Sequence, residues 1–208
     1  MLDRHLRPWI DPPLDRLGRR LAAAGVSADG VTLAGLVAGL AAAGAVVAGL
    51  FWLALGLIAL SRLADGLDGA VARARGPSDF GGYLDITADF LFYGTIPLAF
   101  VLHDPAANGA AGAFLLLSFY VNGASFLGYA ILAERHGLRT RSHGVKSLYF
   151  TAGLLEGSET ILFFVLLCLW PGHFPLLAWV FGVLCFVTAL ARVLMARRIF
   201  AGCAAPRG

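Results

Sequence analysis

Long apolar runs alternate with short charged clusters along the chain. Val31 to Ser61 holds 31 consecutive uncharged residues, more than the ~20 that one helical crossing of a bilayer needs. A turn near Gly49-Leu50 divides the run. The second helix starts near Phe51, and a full crossing extends it through Arg62, Asp65 and Asp68 to about residue 71, so charges lie inside the membrane. Further apolar runs cover Phe90 to Leu102, Ala110 to Ala133, Ile161 to Trp170 and Pro175 to Ala191. The pattern predicts an all-α membrane bundle of six transmembrane helices. Ahead of it, Leu14 to Ala24 follows Pro12-Pro13 and sets Leu14, Leu17 and Leu21 on one helical face, with Asp15, Arg16, Arg19 and Arg20 around the rest. This predicts an amphipathic interfacial helix, the alternative being a solvated helix packed on a neighbour. The expected organisation is a cytoplasmic segment over 1–30, the membrane domain over 31–200 and a tail over 201–208. Met1 to Leu6 lacks the apolar core and cleavage site of a secretory signal, so no removal is expected.

Composition and charge agree. The chain has 208 residues, of which 59% are hydrophobic and 14% charged; aqueous domains carry about 25% charged residues. A water-soluble fold is excluded. The three cysteines are an odd number, and Cys168 and Cys185 sit in apolar runs, so free buried thiols are expected rather than a disulfide scaffold. All sixteen Lys and Arg fall before the first crossing, around the loop after the second, after the fourth, or at the end of the sixth. The turns near Gly49, His103 to Asn108 and Pro171 to Phe174 hold none. Six crossings with both termini cytoplasmic satisfy the positive-inside rule. The net charge of +3 is thereby accounted for, and no nucleic-acid partner is implied. A single lysine, Lys146, against fifteen arginines points to a GC-rich bacterial genome, hence a bacterial inner membrane.

The chemistry sits in Asp65-Gly66-Leu67-Asp68-Gly69-Ala70-Val71-Ala72-Arg73, and in Gly81-Gly82-Tyr83-Leu84-Asp85-Ile86-Thr87-Ala88-Asp89. Asp65 and Asp68 are i, i+3 and Asp85 and Asp89 are i, i+4, so each pair shares a helix face. Gly76-Pro77-Ser78-Asp79 breaks the helix between them, which makes the two pairs antiparallel neighbours. Counted from Phe51, Asp65 and Asp68 lie ~21 and ~26 Å along the helix; counted back from His103, Asp89 and Asp85 lie ~21 and ~27 Å. The four converge in the cytoplasmic third of the bilayer. Four carboxylates in so small a volume cannot all be ionised unless cations compensate. Oxygen-only ligands favour Mg²⁺, Mn²⁺ or Ca²⁺ over zinc, and a phosphate substrate would complete the shell. Gly66, Gly69, Gly81 and Gly82 let a bulky ligand approach the backbone, and Arg73 adds a bidentate phosphate donor.

At these residues the sequence resembles the CDP-alcohol phosphatidyltransferase family, whose signature is D-x2-D-G-x2-A-R, a spacer of about eight, then G-x3-D-x3-D. Asp65, Asp68, Gly69, Ala72, Arg73, Gly81, Asp85 and Asp89 all match. The spacer, Ala74 to Phe80, is one residue shorter than the commonest form and falls in a loop where length is tolerated. Gly25 to Thr32 also resembles the family's entry into its first crossing. The resemblance implies Mg²⁺-dependent transfer of a substituted phosphate from CDP-diacylglycerol, or a related CDP-alcohol, to an alcohol, with release of CMP. It implies one or two Mg²⁺ ions, with Mn²⁺ as the substitute, on Asp65, Asp68 and Asp85, and Asp89 also touching metal. Asp89 would be the general base, and Gly69, Ala72, Arg73 and Gly81 would bind the CDP-alcohol. It further implies a homodimer among membrane lipids.

For the acceptor, the loop Arg135 to Lys146 offers Arg139, Arg141 and Lys146, donors that a phosphorylated alcohol needs and a neutral one does not. Glycerol 3-phosphate is therefore expected, with inositol phosphate, serine or another alcohol as alternatives. Glu156 and Glu159 interrupt the fifth crossing; Glu156 is level with Asp65 and Asp89 and is a candidate for acceptor recognition, and Arg62 to Glu159 is a candidate ion pair. The competing classes are a transporter that uses the acidic groups for cations or protons, and a membrane scaffold without catalysis. The crowding of the four aspartates toward one face disfavours the first.

Overall fold

The computed structural model describes the backbone of residues 3–137 and 157–201, with side chains from Asp11 onward. Among the described residues there are helices and no strands: α1 (Asp3–Ala23), α2 (Ala28–Val47), α3 (Phe51–Arg75), α4 (Asp79–His103), α5 (Pro105–Arg135), α6 (Gly157–Leu169), a 3₁₀ turn at Pro171–His173, and α7 (Phe174–Phe200). The breaks have local causes. At the end of α2, Gly49 takes φ 74° and its N–H bonds Val46 O, while Leu50 N–H bonds Ala45 O at 2.8 Å. That Schellman closure needs a left-handed residue and ends the helix where the apolar run alone would not. Ser27, Ser78 and Asp104 cap α2, α4 and α5, each accepting a backbone N–H of the first turn.

The amino-terminal helix departs from expectation. It begins before Pro12-Pro13 and runs through them; both prolines are exposed, where water or lipid headgroups can take over the carbonyls they leave unpaired. Its contact seam runs through Leu14 and Gly18, and Leu17 lies off it. A Cβ on Gly18 would stand 2.6 Å from Ala70 Cβ, and one on Gly66 would stand 2.8 Å from Leu14. Leu17 is 42% exposed. A small residue at position 18 lets α1 lie flat on α3, which is the packed alternative to a helix resting only on a membrane surface.

Small residues also set the bundle. α2 packs between α3 and α4, and α5 runs along α7. A Cβ on Gly35 would meet Ala64 at 2.9 Å, and one on Gly39 would meet the Phe92 ring at 2.6 Å, the close helix approach favoured where lipid replaces water. Toward the Gly49 and His103 end the core is aromatic: Phe100 stacks on Phe174 with ring centroids 5.1 Å apart, and Phe163 on Phe181 at 4.0 Å. Large apolar side chains such as Val37, Trp52, Ile131 and Leu176 point outward. Apolar groups outside and charges inside is the arrangement of a protein in lipid. Among the described residues, four spans are long and apolar enough to cross a membrane: α2, α4, α5, and Pro171–Phe200. α3 has 25 residues but carries Arg62, Asp65, Asp68, Arg73 and Arg75, and α6 covers 13 described residues, so length and composition stop short of the expected six. Cys168 and Cys185 are free and buried, as expected.

Candidate active site

The site grows from the antiparallel pair α3 and α4, held together by the Gly76 to Ser78 break. Gly76, at φ 100°, lets its N–H bond Ala72 O and end α3. Ser78 restarts the chain as the α4 cap, with Oγ 3.0 Å from Gly81 N. Gly81 is required small here, since a Cβ would stand 2.9 Å from Ser78 Oγ and 3.0 Å from Asp29 Oδ1. α2 packs against both helices of the hairpin, and the polar faces of α3 and α4 turn toward each other across its first turns, close enough for Arg62 of α3 to reach Asp89 of α4.

In that angle Asp65, Asp68 and Asp85 each present a carboxylate oxygen, and the three oxygens lie within 4.8 Å of one another. Asp68 is buried, 5% exposed, and its Oδ2 accepts a 2.6 Å hydrogen bond from Thr32 Oγ1 on α2. The same Thr32 hydroxyl proton is shared with the longer acceptor Ala28 O at 3.1 Å, one turn back in α2, which holds the hydroxyl against the helix that positions it. A second-sphere donor of this kind orients a ligating carboxylate. Thr32 had only an indirect signal in the sequence, as the first polar residue inside the first apolar run.

Asp89 is placed differently from the other three. Its Oδ1 accepts a 2.8 Å hydrogen bond from Arg62 Nη1, and the same nitrogen stands 3.6 Å from Asp65 Oδ1. The Arg62 guanidinium lies 4.0 Å over the Phe92 ring, and its Nη2 reaches Ser61 Oγ at 3.3 Å. Arg62 therefore turns to the cluster, whereas the sequence pointed to Glu159 as its partner. A planar cation on an aromatic floor can face two carboxylates at once, which a spacing argument along one helix does not reveal. Together these groups line a cavity of about 10 Å³, room for a single water-sized body.

The remaining signature residues stand on the flank. Arg73 pairs with Asp15 of α1 at 2.7 Å, and a Cβ on Gly69 would come 3.4 Å from Arg73 Nη1, so the arginine lies across the glycine. Ala72 is half-buried beside them. Arg139, Arg141, Lys146 and Glu156 lie outside the described residues. Elsewhere, Arg192 on α7 is buried against α5, with Nη1 bonded to Asn122 O, Asn122 Oδ1 and Ser125 Oγ at 3.0, 2.9 and 2.6 Å.

The donor set suits a hard divalent cation. Three carboxylate oxygens converge from two helices, without His or Cys, and one of them is already oriented by a hydroxyl. Fold and site thus define an integral membrane protein built around an acidic, metal-type centre in a glycine-lined helix hairpin.

Comparison with known proteins places that class. The sequence pattern of the CDP-alcohol phosphatidyltransferase family matches residues 25–184. The inner membrane protein YnjF of Escherichia coli is 48% identical over 193 residues, covering 93% of this chain and 94% of that protein. The archaetidylinositol phosphate synthase of Pyrococcus horikoshii is 37% identical over 87 residues, 41% of this chain and 46% of that protein. The crystal structure of Mycobacterium tuberculosis phosphatidylinositol phosphate synthase (PgsA1) with CDP-DAG bound superposes with a TM-score of 0.68 at 22% identity, over 88% of this chain and 93% of that one. Another structure of PgsA1, in complex with manganese and citrate, gives a TM-score of 0.61 at 21% identity over 87% of each chain. The chain belongs to the CDP-alcohol phosphatidyltransferase family, and it is a phosphotransferase.

Proposed function

We propose that this protein transfers a substituted phosphate from CDP-diacylglycerol, or a related CDP-alcohol, to a phosphorylated alcohol and releases CMP, in phospholipid synthesis. The observation that carries the reading is the convergence of Asp65, Asp68 and Asp85, on the family signature, to within 4.8 Å. These three residues would hold a divalent cation, Mg²⁺ or Mn²⁺, and when bound it offsets the charge of the pyrophosphate. Arg73 lies over Gly69 at the edge of the site, where a substrate phosphate can take it from Asp15. Asp89 accepts the proton of the acceptor hydroxyl; the freed oxygen forms a bond to the phosphorus next to the lipid, and the bond from that phosphorus to CMP breaks. The lone hydroxyl proton ends on an Asp89 carboxylate oxygen and the electron pair leaves with CMP.

Two relatives at 37% identity are named for archaetidylinositol phosphate synthesis, which favours inositol phosphate as the acceptor over glycerol 3-phosphate. Either phosphate would need cationic donors, and Arg139, Arg141 and Lys146 are the candidates, with Glu156 toward the hydroxyls. The proposed topology counts α2 to α7 as six crossings, α3 included because its charges face the site, with α1 on the cytoplasmic side and both ends there. The placement of Lys and Arg supports it, and the inner-membrane relative supports a bacterial inner membrane. A homodimer is proposed from the family resemblance alone.

The test is CMP release by purified protein in detergent with CDP-diacylglycerol and Mg²⁺ or Mn²⁺. Inositol phosphate, glycerol 3-phosphate, serine and inositol are offered separately, with EDTA as control. Metal-dependent release with inositol phosphate is the expected result. Release with glycerol 3-phosphate alone would restore the first acceptor reading, and no release in a folded sample would sink the transferase reading for these substrates.

A further inference from the structure

Resting on the topology proposed above, we infer that the outward face of α1 is a binding site for acidic phospholipid headgroups, with Arg16, Arg19 and Arg20 as the donors to their phosphates. The three arginines and Ala23 are spaced i, i+3, i+4, i+7, so they share one face of the helix, and all four are exposed. They bound an open recess of about 330 Å³. None of the three arginines forms an ion pair among the described residues; Asp15, next to Arg16 in the chain, is held by Arg73 of α3 at 2.7 Å. Like charges three and four residues apart on a helix repel, and a phosphate set among them turns that repulsion into charge-assisted hydrogen bonds.

The opposite side of the helix fixes where this face points. Leu14 and Gly18 lie against Gly66 and Ala70 of α3, and the Asp15 to Arg73 pair adds a polar tie. At the carboxyl end of α1, Arg75 Nη1 donates to Gly25 O at 2.9 Å and to Val26 O at 2.8 Å, which pins the turn into α2. With these attachments in place α1 cannot roll to bury its arginines. Counting gives their depth: Gly66 and Ala70 stand 15 and 19 residues past Phe51, or ~22 and ~28 Å at helical rise, near the inner edge of a ~30 Å hydrocarbon core. Arg19 and Arg20 follow directly after the Ala70 contact, at the level of the inner headgroups. Leu17, 42% exposed, is one turn before Arg20, and an apolar side chain beside cations suits the boundary between acyl chains and headgroups. Five arginines precede the first crossing, and such clusters at a cytoplasmic membrane edge favour anionic over zwitterionic lipid. Guanidinium forks add paired hydrogen bonds to phosphate oxygens. The arginine face is turned away from Arg73 and Ala70, so this site is separate from the acidic centre.

The full chain in a nonionic detergent, titrated with fluorescent phosphatidylglycerol and in parallel with phosphatidylcholine of the same chains, tests this without any turnover. The wild type is expected to bind phosphatidylglycerol at least about tenfold more tightly than phosphatidylcholine, with the preference shrinking as salt rises. Arg16→Gln/Arg19→Gln/Arg20→Gln is expected to bring phosphatidylglycerol down to the phosphatidylcholine level, and Arg197→Gln/Arg198→Gln on α7 to keep the preference. Should the triple change not fold, the three single changes to Gln decide, each expected to weaken phosphatidylglycerol binding about three- to fivefold. No preference in the wild type, or an undiminished preference in the α1 variants, would overturn the inference. Inorganic phosphate that displaced phosphatidylglycerol at equal concentration would make the face a free-anion site and overturn the lipid assignment. Thiol labelling of Ala23→Cys, in a Cys203→Ser background, reports the topology independently. Labelling in inverted membrane vesicles is expected, and labelling from the opposite side alone would overturn the topology together with this inference. The transferase reading stands or falls by CMP release, which none of these measurements involves.

Discussion

Arg62, with its side chain 12% exposed, and Arg192, which is buried, both turn into the bundle, and their surroundings differ in kind. Arg62 on α3 gives its Nη1 to carboxylates, Asp89 at 2.8 Å and Asp65 at 3.6 Å. Arg192 on α7 gives its Nη1 to neutral oxygens, two of Asn122 and one of Ser125. Both guanidiniums also face an aromatic ring, Phe92 in one case and Phe126 in the other. The difference teaches what each half of the bundle is for. Neutral acceptors satisfy a guanidinium and tie α5 to α7 without adding charge, which is helix packing. Carboxylates beyond those needed to neutralise Arg62 crowd negative charge into the site, the kind of cluster a divalent cation fits.

The comparison can be broken first at the acid itself. Asp89→Asn, which keeps shape but removes the proposed base, is expected to lower CMP release by about 10²–10⁴-fold, the usual worth of a general base; an unchanged rate would show that Asp89 takes no proton. Next come the two arginines. Arg62→Met leaves Asp89, whose side chain is 31% exposed, beside Asp65 without its cation, an expected cost below the about 3–5 kcal/mol of a fully buried pair but above that of the Arg192 change. Arg192→Met leaves neutral oxygens behind, an expected cost of about 1–3 kcal/mol. Thermal unfolding in detergent measures both, and equal losses would erase the distinction between the two sites.

Metal sharpens the same contrast. A divalent ion at about 100 times its Kd should stabilise the wild type by about 2.7 kcal/mol, with EDTA removing the gain. The gain should be absent in Asp65→Asn/Asp68→Asn and intact in Arg192→Met. A gain that survived the double aspartate change would place the metal elsewhere. The smallest effect is expected at Thr32→Val, which removes the donor to Asp68 while keeping the volume. A loss of about tenfold in Mn²⁺ affinity, read by dialysis, is the expected result; an unchanged affinity would make Thr32 a packing residue only.

Much of the hairpin was legible in the sequence because its causes are local. Phe51 and His103 mark the helix ends that the apolar runs predicted, and Gly76 to Ser78 break the chain where expected. The convergence of Asp65, Asp68 and Asp85 followed from counting residues along two antiparallel helices. Counting did not separate Asp89 from them, and it assigned Arg62 to Glu159. The seam of α1 was misplaced by one position, because a leucine at 17 reads as buried from periodicity while the actual contact needs a glycine at 18.

What the sequence determines by itself is therefore the set of helices, their charged faces and the signature that carries the chemistry. All of these depend on residues within a few turns of one another, where helical rise and capping are nearly invariant. Only the tertiary structure decided which carboxylates meet each other and which meets a guanidinium, that Thr32 holds Asp68, and that Asp15 holds Arg73. Those choices turn on shifts of a few ångströms and a rotation between neighbouring helices. Contacts such as Gly35 against Ala64 and Gly39 against Phe92 set them, and such contacts join residues far apart in the chain.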